Sequence, residues 1–123
     1  MERIIIVLHG SSKNDRNNLE NFIKELAKKL KRKTEDIKYA YLQFGTPTLE
    51  DIVLQCIKEN VKRMIIHPLF LSYGTHVSSN IPEIIEKLRK NYPDIDIVYT
   101  KPVGLHKKLA DIVKERIEEI NKF

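Results

Sequence analysis

Residues 3–12 read RIIIVLHGSS, an unbroken run of β-branched and leucine side chains that stops at His-Gly-Ser-Ser. A run of this length without polar alternation is typical of a strand that is buried on both faces of a sheet. Strands of this kind occur in parallel sheets whose faces are covered by helices. The run therefore predicts an α/β protein, and the residues from His9 onward predict a loop at the carboxyl end of its first strand.

Strands and helices alternate along the rest of the sequence. We expect further strands over residues 37–44, 63–66 and 94–100. Four amphipathic helices are predicted by apolar side chains at helical spacing, which are Leu19, Phe22, Ile23, Leu26, Ala27 and Leu30, then Leu49, Ile52, Val53 and Cys56, then Ile81, Ile84, Ile85 and Leu88, and finally Leu105, Leu109, Ile112, Val113, Ile117 and Ile120. The order βαβαβαβα predicts one three-layer domain over residues 1–123, with a four-stranded, mainly parallel sheet and helices on both faces.

Local signals mark the expected helix starts. Asn17 and Asn80 are each followed three residues later by Glu, which is the pattern of a capping box. The pair Thr46-Pro47 predicts the start of the second helix, because proline is favoured at the first helical position and acidic residues follow it. Residues 67–79 predict a long connection, part of which is apolar enough to be covered.

Composition and charge exclude several classes of protein. The chain of 123 residues is 41% hydrophobic and 32% charged, which argues against a disordered segment and against a membrane protein. A net charge of +5 favours an anionic partner. The single Cys56 leaves no disulfide within the chain and no cysteine cage for a metal, and it fits a reducing, cytoplasmic setting.

Two histidines fall where open α/β sheets bind their ligands, outside the carboxyl ends of the strands. His9 ends the first predicted strand, and His76 lies in the connection after the third. If these strands are neighbours, both imidazoles face one crevice. We expect His67 to be a structural residue at a strand end, and His106 to be a local cap or contact at the start of the last helix.

Other interpretations of these motifs remain open. His9 and His76 are also compatible with hydrogen-bonded structural roles. The Gly10-Ser11-Ser12 turn has too few glycines for a phosphate-binding loop. The basic run at residues 28–33 suggests a nucleic-acid-binding protein, but it also ends a helix, where cations are favoured, and no aromatic residues interrupt it.

Four segments together resemble the small sirohydrochlorin cobaltochelatases. They read IIVLHGS (5–11), YLQFGTPT (41–48), PLFLSYGTH (68–76) followed by NIP (80–82), and KPVG (101–104). The resemblance covers essentially the whole chain in the same order. It implies a chelatase-like fold of the class II, ATP-independent type, and a metal-inserting lyase of cobalamin biosynthesis that places Co²⁺ in sirohydrochlorin.

The resemblance also implies a site and an assembly. His9 and His76 become metal ligands and proton acceptors, since neutral imidazole binds Co²⁺ and Ni²⁺ and titrates near neutral pH. No cofactor is implied beyond the substrate metal, which is Ni²⁺ or Fe²⁺ in close relatives. A homodimer is expected because longer relatives hold the tetrapyrrole between two such domains. Neither a membrane nor a nucleic acid is expected as a partner. The residues implied to bind substrate are Gly10, Ser11, Ser12, Gln43, Gly74 and Thr75.

The sequence departs from the family pattern near this site. Gln43 stands where relatives usually have Glu, and Thr46 stands where they have another acidic residue. Ser12 replaces a common Arg, and Ser79-Asn80 replaces Arg-Asp. A missing carboxylate removes a hard metal ligand and a negative charge beside the imidazoles. The identity of the metal therefore stays open. A second hypothesis also stays open, in which the protein is a module of the same fold that binds tetrapyrrole or metal without turnover.

Overall fold

The computed structural model describes residues 1–10, 16–42, 45–71 and 75–121, and the side chains of these residues except those of 75–80 and 121. The strands are β1 (Glu2–Leu8), β2 (Ile37–Tyr41), β3 (Arg63–Pro68) and β4 (Asp96–Tyr99). The helices are α1 (Arg16–Leu30), α2 (Leu49–Lys58), α3 (Thr75–Asn91) and α4 (Lys108–Asn121), with a 3₁₀ turn at Thr34–Asp36.

The described strands form one parallel sheet in the order β2-β1-β3-β4. In the centre of the sheet Ile5 is aligned with Lys38 of β2 and with Ile66 of β3. β1 is thus an inner strand, as its apolar run predicted. The predicted α/β fold with a four-stranded parallel sheet is confirmed.

Two hydrophobic cores lie on opposite faces of the sheet. Ile5 and Val7 of β1 face one core with buried residues of α2 and α3, among them Val53 and Ile85. On the other face, the residues of β1 that alternate with these pack against Leu19, Ile23 and Ala27 of α1. Helices therefore cover both faces, but among the described helical residues only those of α1 are buried on the second face.

The second helix begins two positions later than predicted. Thr48 is its N-cap, because Thr48 Oγ1 accepts from the Asp51 N–H (3.2 Å) and Asp51 Oδ2 accepts from the Thr48 N–H (3.1 Å). Pro47 lies outside the helix, in a turn where its carbonyl accepts from the Tyr41 N–H (2.9 Å), and the Thr46-Pro47 peptide bond is cis. The capping box of Thr48 and Asp51 determines where the helix begins, and Pro47 belongs to the turn before it. The predicted acidic first turn is confirmed.

The two predicted Asn caps are wrong. Asn17 lies inside α1, which begins by Arg16, and Asn80 lies inside α3, which begins at Thr75. No glycine or proline separates Thr75 from Asn80, so the helix continues back past Asn80 to Thr75, and Pro82 sits within it. The long connection predicted over residues 67–79 is correspondingly shorter, since β3 also runs on to Pro68.

Two strand ends also differ from prediction. β2 ends at Tyr41 rather than Phe44, and residues 43–44 lie outside the described residues. β4 is confined to Asp96–Tyr99 within the predicted 94–100. Strand boundaries follow backbone pairing, which the hydrophobic pattern does not encode.

Candidate functional site

The carboxyl ends of the three strands β1, β2 and β3 meet at one edge of the sheet. The Val7 carbonyl accepts from the Leu69 N–H (2.8 Å), and the Leu8 carbonyl accepts from the Leu42 N–H (2.8 Å). The chain leaving β2 and the chain leaving β3 are therefore both fastened to the last residues of β1. This confirms that the strand ending at His9 and the strand leading to His76 are neighbours.

His9 stands at this edge with its imidazole exposed. Its ring contacts Phe70 edge-on, with ring centroids 6.1 Å apart and an interplanar angle of 73°. Phe70 is 9% exposed and belongs to the core that α2 and α3 cover. One side of the imidazole is thus supported by the core while the ring remains accessible to a ligand. Sequence reasoning did not single out Phe70, although the apolar connection after β3 was expected to be partly covered.

The backbone of His76 lies in the first turn of α3, not in the loop where it was predicted. The reason is the early start of α3 at Thr75. The His76 side chain is outside the described part of the chain, as are Ser11, Ser12, Gln43 and Gly74. Of the predicted substrate-binding residues, Gly10 is described and exposed directly after His9, and Thr75 is the first residue of α3.

His67 and His106 have local structural partners, as predicted. His67 is half-buried on the face opposite Phe70, aligned with Ile6, and its Nδ1 lies 2.6 Å from Thr100 Oγ1. The Thr100 hydroxyl donates to the Lys101 carbonyl (2.9 Å), which leaves its oxygen to accept from Nδ1–H. Burial lowers the pKa of His67, so its neutral form is favoured.

His106 caps the last helix. Its Nδ1 accepts from the Lys108 N–H (3.1 Å), which is one of the amides left unpaired at the start of α4. Just before it, Gly104 has a left-handed backbone (φ +62°) and donates from its N–H to the Phe70 carbonyl (3.1 Å). The segment that carries the KPVG motif is therefore held against the residue that supports His9.

Other candidate groups are occupied or buried. Within residues 1–10, 16–42, 45–71 and 75–121, no group of three or more His, Cys, Asp and Glu side chains could hold a metal ion. Cys56 is buried, and burial raises the pKa of its thiol, so it stays protonated. In the basic run, Lys28 pairs with Glu25 (3.6 Å) and Arg32 pairs with Glu2. Searching the described helices for a membrane span finds none of the necessary length and apolarity.

Known proteins are similar to this chain in sequence and in fold over nearly its whole length. A sirohydrochlorin ferrochelatase of Priestia megaterium is 32% identical over 98% of this chain but only 45% of its own length. A sirohydrochlorin cobaltochelatase of Sulfurisphaera tokodaii is 26% identical over 98% of this chain and 94% of its own length. The chain spans about half the length of the first curated relatives it matches, 45% and 51%.

Solved structures agree with this likeness. A protein described as a cobalamin biosynthesis CbiX protein, from Marinobacter aquaeolei, superimposes with a TM-score of 0.74 at 28% identity and covers 99% of this chain and 98% of its own. SirB from Bacillus subtilis with Fe³⁺ gives a TM-score of 0.79 at 26% identity, covering 97% of this chain and 47% of SirB. The CbiX family profile matches residues 3–120. The chain belongs to the CbiX family.

Proposed function

We propose that this protein inserts Co²⁺ into sirohydrochlorin without ATP, as a step of cobalamin biosynthesis. The observation that carries the proposal is the pairing of β1 with β3, which sets His9 at the same sheet edge as the chain leading to His76. Family membership and the relatives named as sirohydrochlorin chelatases support the substrate.

Relatives named as sirohydrochlorin cobaltochelatases support cobalt as the first candidate metal. The cobaltochelatases of Sulfurisphaera tokodaii and Methanocaldococcus jannaschii are covered to 94% and 97% of their length. The ferrochelatases of Priestia megaterium and Arabidopsis thaliana are covered to 45% and 51%. Iron remains the second candidate, because those ferrochelatases share 32% identity with this chain. Nickel is the third, since its preference for imidazole resembles that of cobalt.

Metal insertion has two chemical requirements, which neutral imidazoles meet together. Pyrrole N–H protons must leave the macrocycle, and a divalent ion must pass to the ring nitrogens. In the proposed mechanism His9 and His76 hold the ion weakly and accept the departing protons. The exposure of His9 suits this role, because an ion held by few protein ligands is readily transferred to a macrocycle with more donors. No cofactor beyond the substrate metal takes part.

Sirohydrochlorin is a polycarboxylate, and several features of the chain favour such an anion. The net charge of +5 attracts it over a distance. Thr75 begins α3, and the free N–H groups of a helix start bind carboxylates. The family resemblance extends the proposed substrate-binding set to Gly10, Ser11, Ser12, Gln43, Gly74 and Thr75.

A single edge of this sheet offers one wall to a large flat macrocycle. The ferrochelatase relatives and SirB have about twice the length of the matched region, since the chain covers 45% to 51% of them. We therefore include in the proposal a cytoplasmic homodimer in which two copies related by a two-fold axis face each other across the substrate.

Metallation assays test the proposal directly. The protein is incubated under anaerobic conditions with sirohydrochlorin and Co²⁺, Ni²⁺ or Fe²⁺ in separate reactions, and the change in absorption is followed with the protein-free rate subtracted. We expect many turnovers per protein with Co²⁺ and slower reactions with the other ions. Tight binding of sirohydrochlorin or metal without metallated product would instead establish a non-catalytic binding module.

A further inference from the structure

Strand β4 is the last strand of the described sheet, so the outer side of its backbone has no neighbouring strand. On the inner side, the Asp96 N–H and the Thr100 N–H donate to carbonyls of β3 and of the residue before it, at 2.9 Å each. Alternate residues of a strand direct their backbone groups to the same side, so those of Ile97 and Tyr99 point outward. An outward row of this kind is a template on which a further strand can pair.

The sequence of β4 favours such pairing. Residues 95–100 read IDIVYT, in which every residue except Asp96 is β-branched or aromatic. These residue types are enriched in strands, and short windows of them without proline are prone to pair between molecules. An open edge here would therefore be a hazard for a chain that has to stay in solution.

The other edge strand, β2, is closed at both ends by the backbone of its own chain. At its start the Ile37 N–H donates to the Thr34 carbonyl, and at its end the Tyr41 N–H donates to the Pro47 carbonyl (2.9 Å). Among the described residues, no backbone group does the same on the outer side of β4. Closure of the β4 edge by described residues therefore depends on a side chain.

Arg89 of α3 is that side chain. Its Nε and Nη2 both donate to the outward carbonyl of Ile97, at 3.0 Å and 2.7 Å. The guanidinium carbon lies 5.9 Å from the centre of the Tyr99 ring, and Nη1 donates to Glu86 Oε1 (2.7 Å). A planar guanidinium can make a forked bond and stack on a ring at the same time, which an ammonium group cannot. Three partners thus hold the charged group against the edge.

The end of the helix does not by itself explain this arrangement. Arg89 and Lys90 both lie in the last turn of α3, where the helix dipole favours cations. Lys90 is exposed and meets that preference equally well. Of the two, it is Arg89 that directs its head group to the neighbouring strand.

We propose that Arg89 closes the free edge of β4 against strand pairing with a second copy of this chain. Its two donors occupy the Ile97 carbonyl, an acceptor that an incoming strand would use. Its charge also opposes the approach of a second β4 edge, because that edge carries its own Arg89. Charged side chains protect edge strands of natural sheets in this way. The inference does not depend on the proposed function.

Two methionine substitutions test the closure. Arg89→Met keeps an unbranched apolar side chain but has no donor for the Ile97 carbonyl. Lys90→Met is the matched control, since it removes the same charge from the same turn of α3. Each protein is incubated at micromolar concentration below its Tm, and assembly is followed by thioflavin T fluorescence and by sedimentation. Arg89→Met should assemble roughly 10-fold faster than wild type or more, and Lys90→Met within roughly two-fold of wild type.

A third variant distinguishes an open edge from a weakened fold. In Arg89→Met/Tyr99→Pro, the proline replaces a residue whose N–H points outward, so no bond to β3 is lost and the ring obstructs the edge. Urea melts should show that the double variant is no more stable than Arg89→Met. Its assembly should nevertheless return to within a few-fold of wild type. Assembly as fast as that of Arg89→Met would show that unfolding drives it, and would overturn the proposal.

Hydrogen exchange locates the contact. The assembled Arg89→Met protein is labelled in D₂O, quenched and digested, and its peptides are compared with those of the unassembled protein. Peptides that contain Ile97 and Tyr99 should be more protected in the assembly, because their outward N–H groups become paired. Assembly without this protection, or Arg89→Met assembling no faster than Lys90→Met, would also overturn the closure. These measurements use neither metal nor sirohydrochlorin, so the outcome of the metallation assay does not affect them.

Discussion

Replacing His9 with alanine should slow metallation strongly while leaving stability nearly intact. The imidazole is exposed, and its described packing is the edge contact with Phe70, so its loss should cost about 1 kcal/mol or less. For 123 residues, an unfolding entropy of about 2.1 cal/mol/K per residue makes 1 kcal/mol worth about 4 °C in Tm. Losing a group that holds metal or accepts protons should slow metallation roughly 100-fold.

His67→Ala provides the opposite control. This substitution removes a half-buried hydrogen bond to Thr100, so it should cost about 1–2 kcal/mol, or about 4–8 °C in Tm. Metallation by the folded variant should stay within a few-fold of wild type. His106→Ala loses a helix cap and should behave similarly at about 1 kcal/mol. His76→Ala should slow metallation as His9→Ala does.

Calorimetry and the absorption assay together show whether a histidine acts in the metallation reaction or through the stability of the fold. Each variant is melted by differential scanning calorimetry and assayed with Co²⁺ at least 15 °C below its own Tm. A His9→Ala variant that metallates within a few-fold of wild type would refute the role given to His9. Rate losses that follow Tm across all four histidines would show that the imidazoles act through the fold.

Three further outcomes are expected. Gln43→Glu adds a negative charge at the proposed site and should tighten Co²⁺ binding to the substrate-free protein, measured by calorimetric titration. Burial lowers the pKa of His67 below its ordinary 6.5, so below about pH 6.5 the unfolded chain binds the proton more readily than the folded chain. The free energy of unfolding therefore falls with pH, by at most about 1.4 kcal/mol per pH unit. Urea melts at several pH values should show less of this loss in His67→Gln. Thr48→Ala should lower Tm by about 4 °C, because a lost capping box costs about 1 kcal/mol.

Each of these outcomes has its own control. Unchanged metal affinity in Gln43→Glu would place residue 43 away from the metal. The pH effect is contradicted if His67→Gln and wild type lose stability in parallel below pH 6.5. Thr48→Ser keeps the accepting oxygen and should melt close to wild type, so equal losses for Ser and Ala would refute the cap.

The sequence predicted the sheet better than it predicted the helix starts. The RIIIVL run placed β1 correctly in the interior because burial on both faces leaves no polar position in a strand. The caps at Asn17 and Asn80 failed because a capping pattern is a local preference, and a helix extends past it when the preceding residues favour the helix. The cap at Thr48 was missed because the sequence pattern predicts Pro47 as the first residue of the helix, whereas it belongs to the turn before the helix.

The candidate site was predictable in position but not in its contacts. Parallel strands bring their carboxyl ends to one edge, so His9 could be assigned there from the order of elements alone. The support of His9 by Phe70 depends on a packing contact between residues far apart in sequence, which no spacing pattern encodes. Apolar side chains of α4 such as Ile112 and Val113 are exposed, although their spacing in the sequence is that of a core helix. Amphipathic spacing does not say which surface covers the apolar side.

Ion pairs and the candidate site lie at opposite edges of the sheet. At the amino edge, Arg3 pairs with Asp36 (3.0 Å), and Arg63 pairs with Asp96 (3.2 Å) and with Glu2 (3.3 Å). These ion pairs join the starts of the strands, where no candidate ligand residue was found among the described residues. The carboxyl edge carries exposed groups such as His9, whose replacement removes little buried surface. We therefore expect replacement of such exposed groups to change metallation without a matching loss of fold stability.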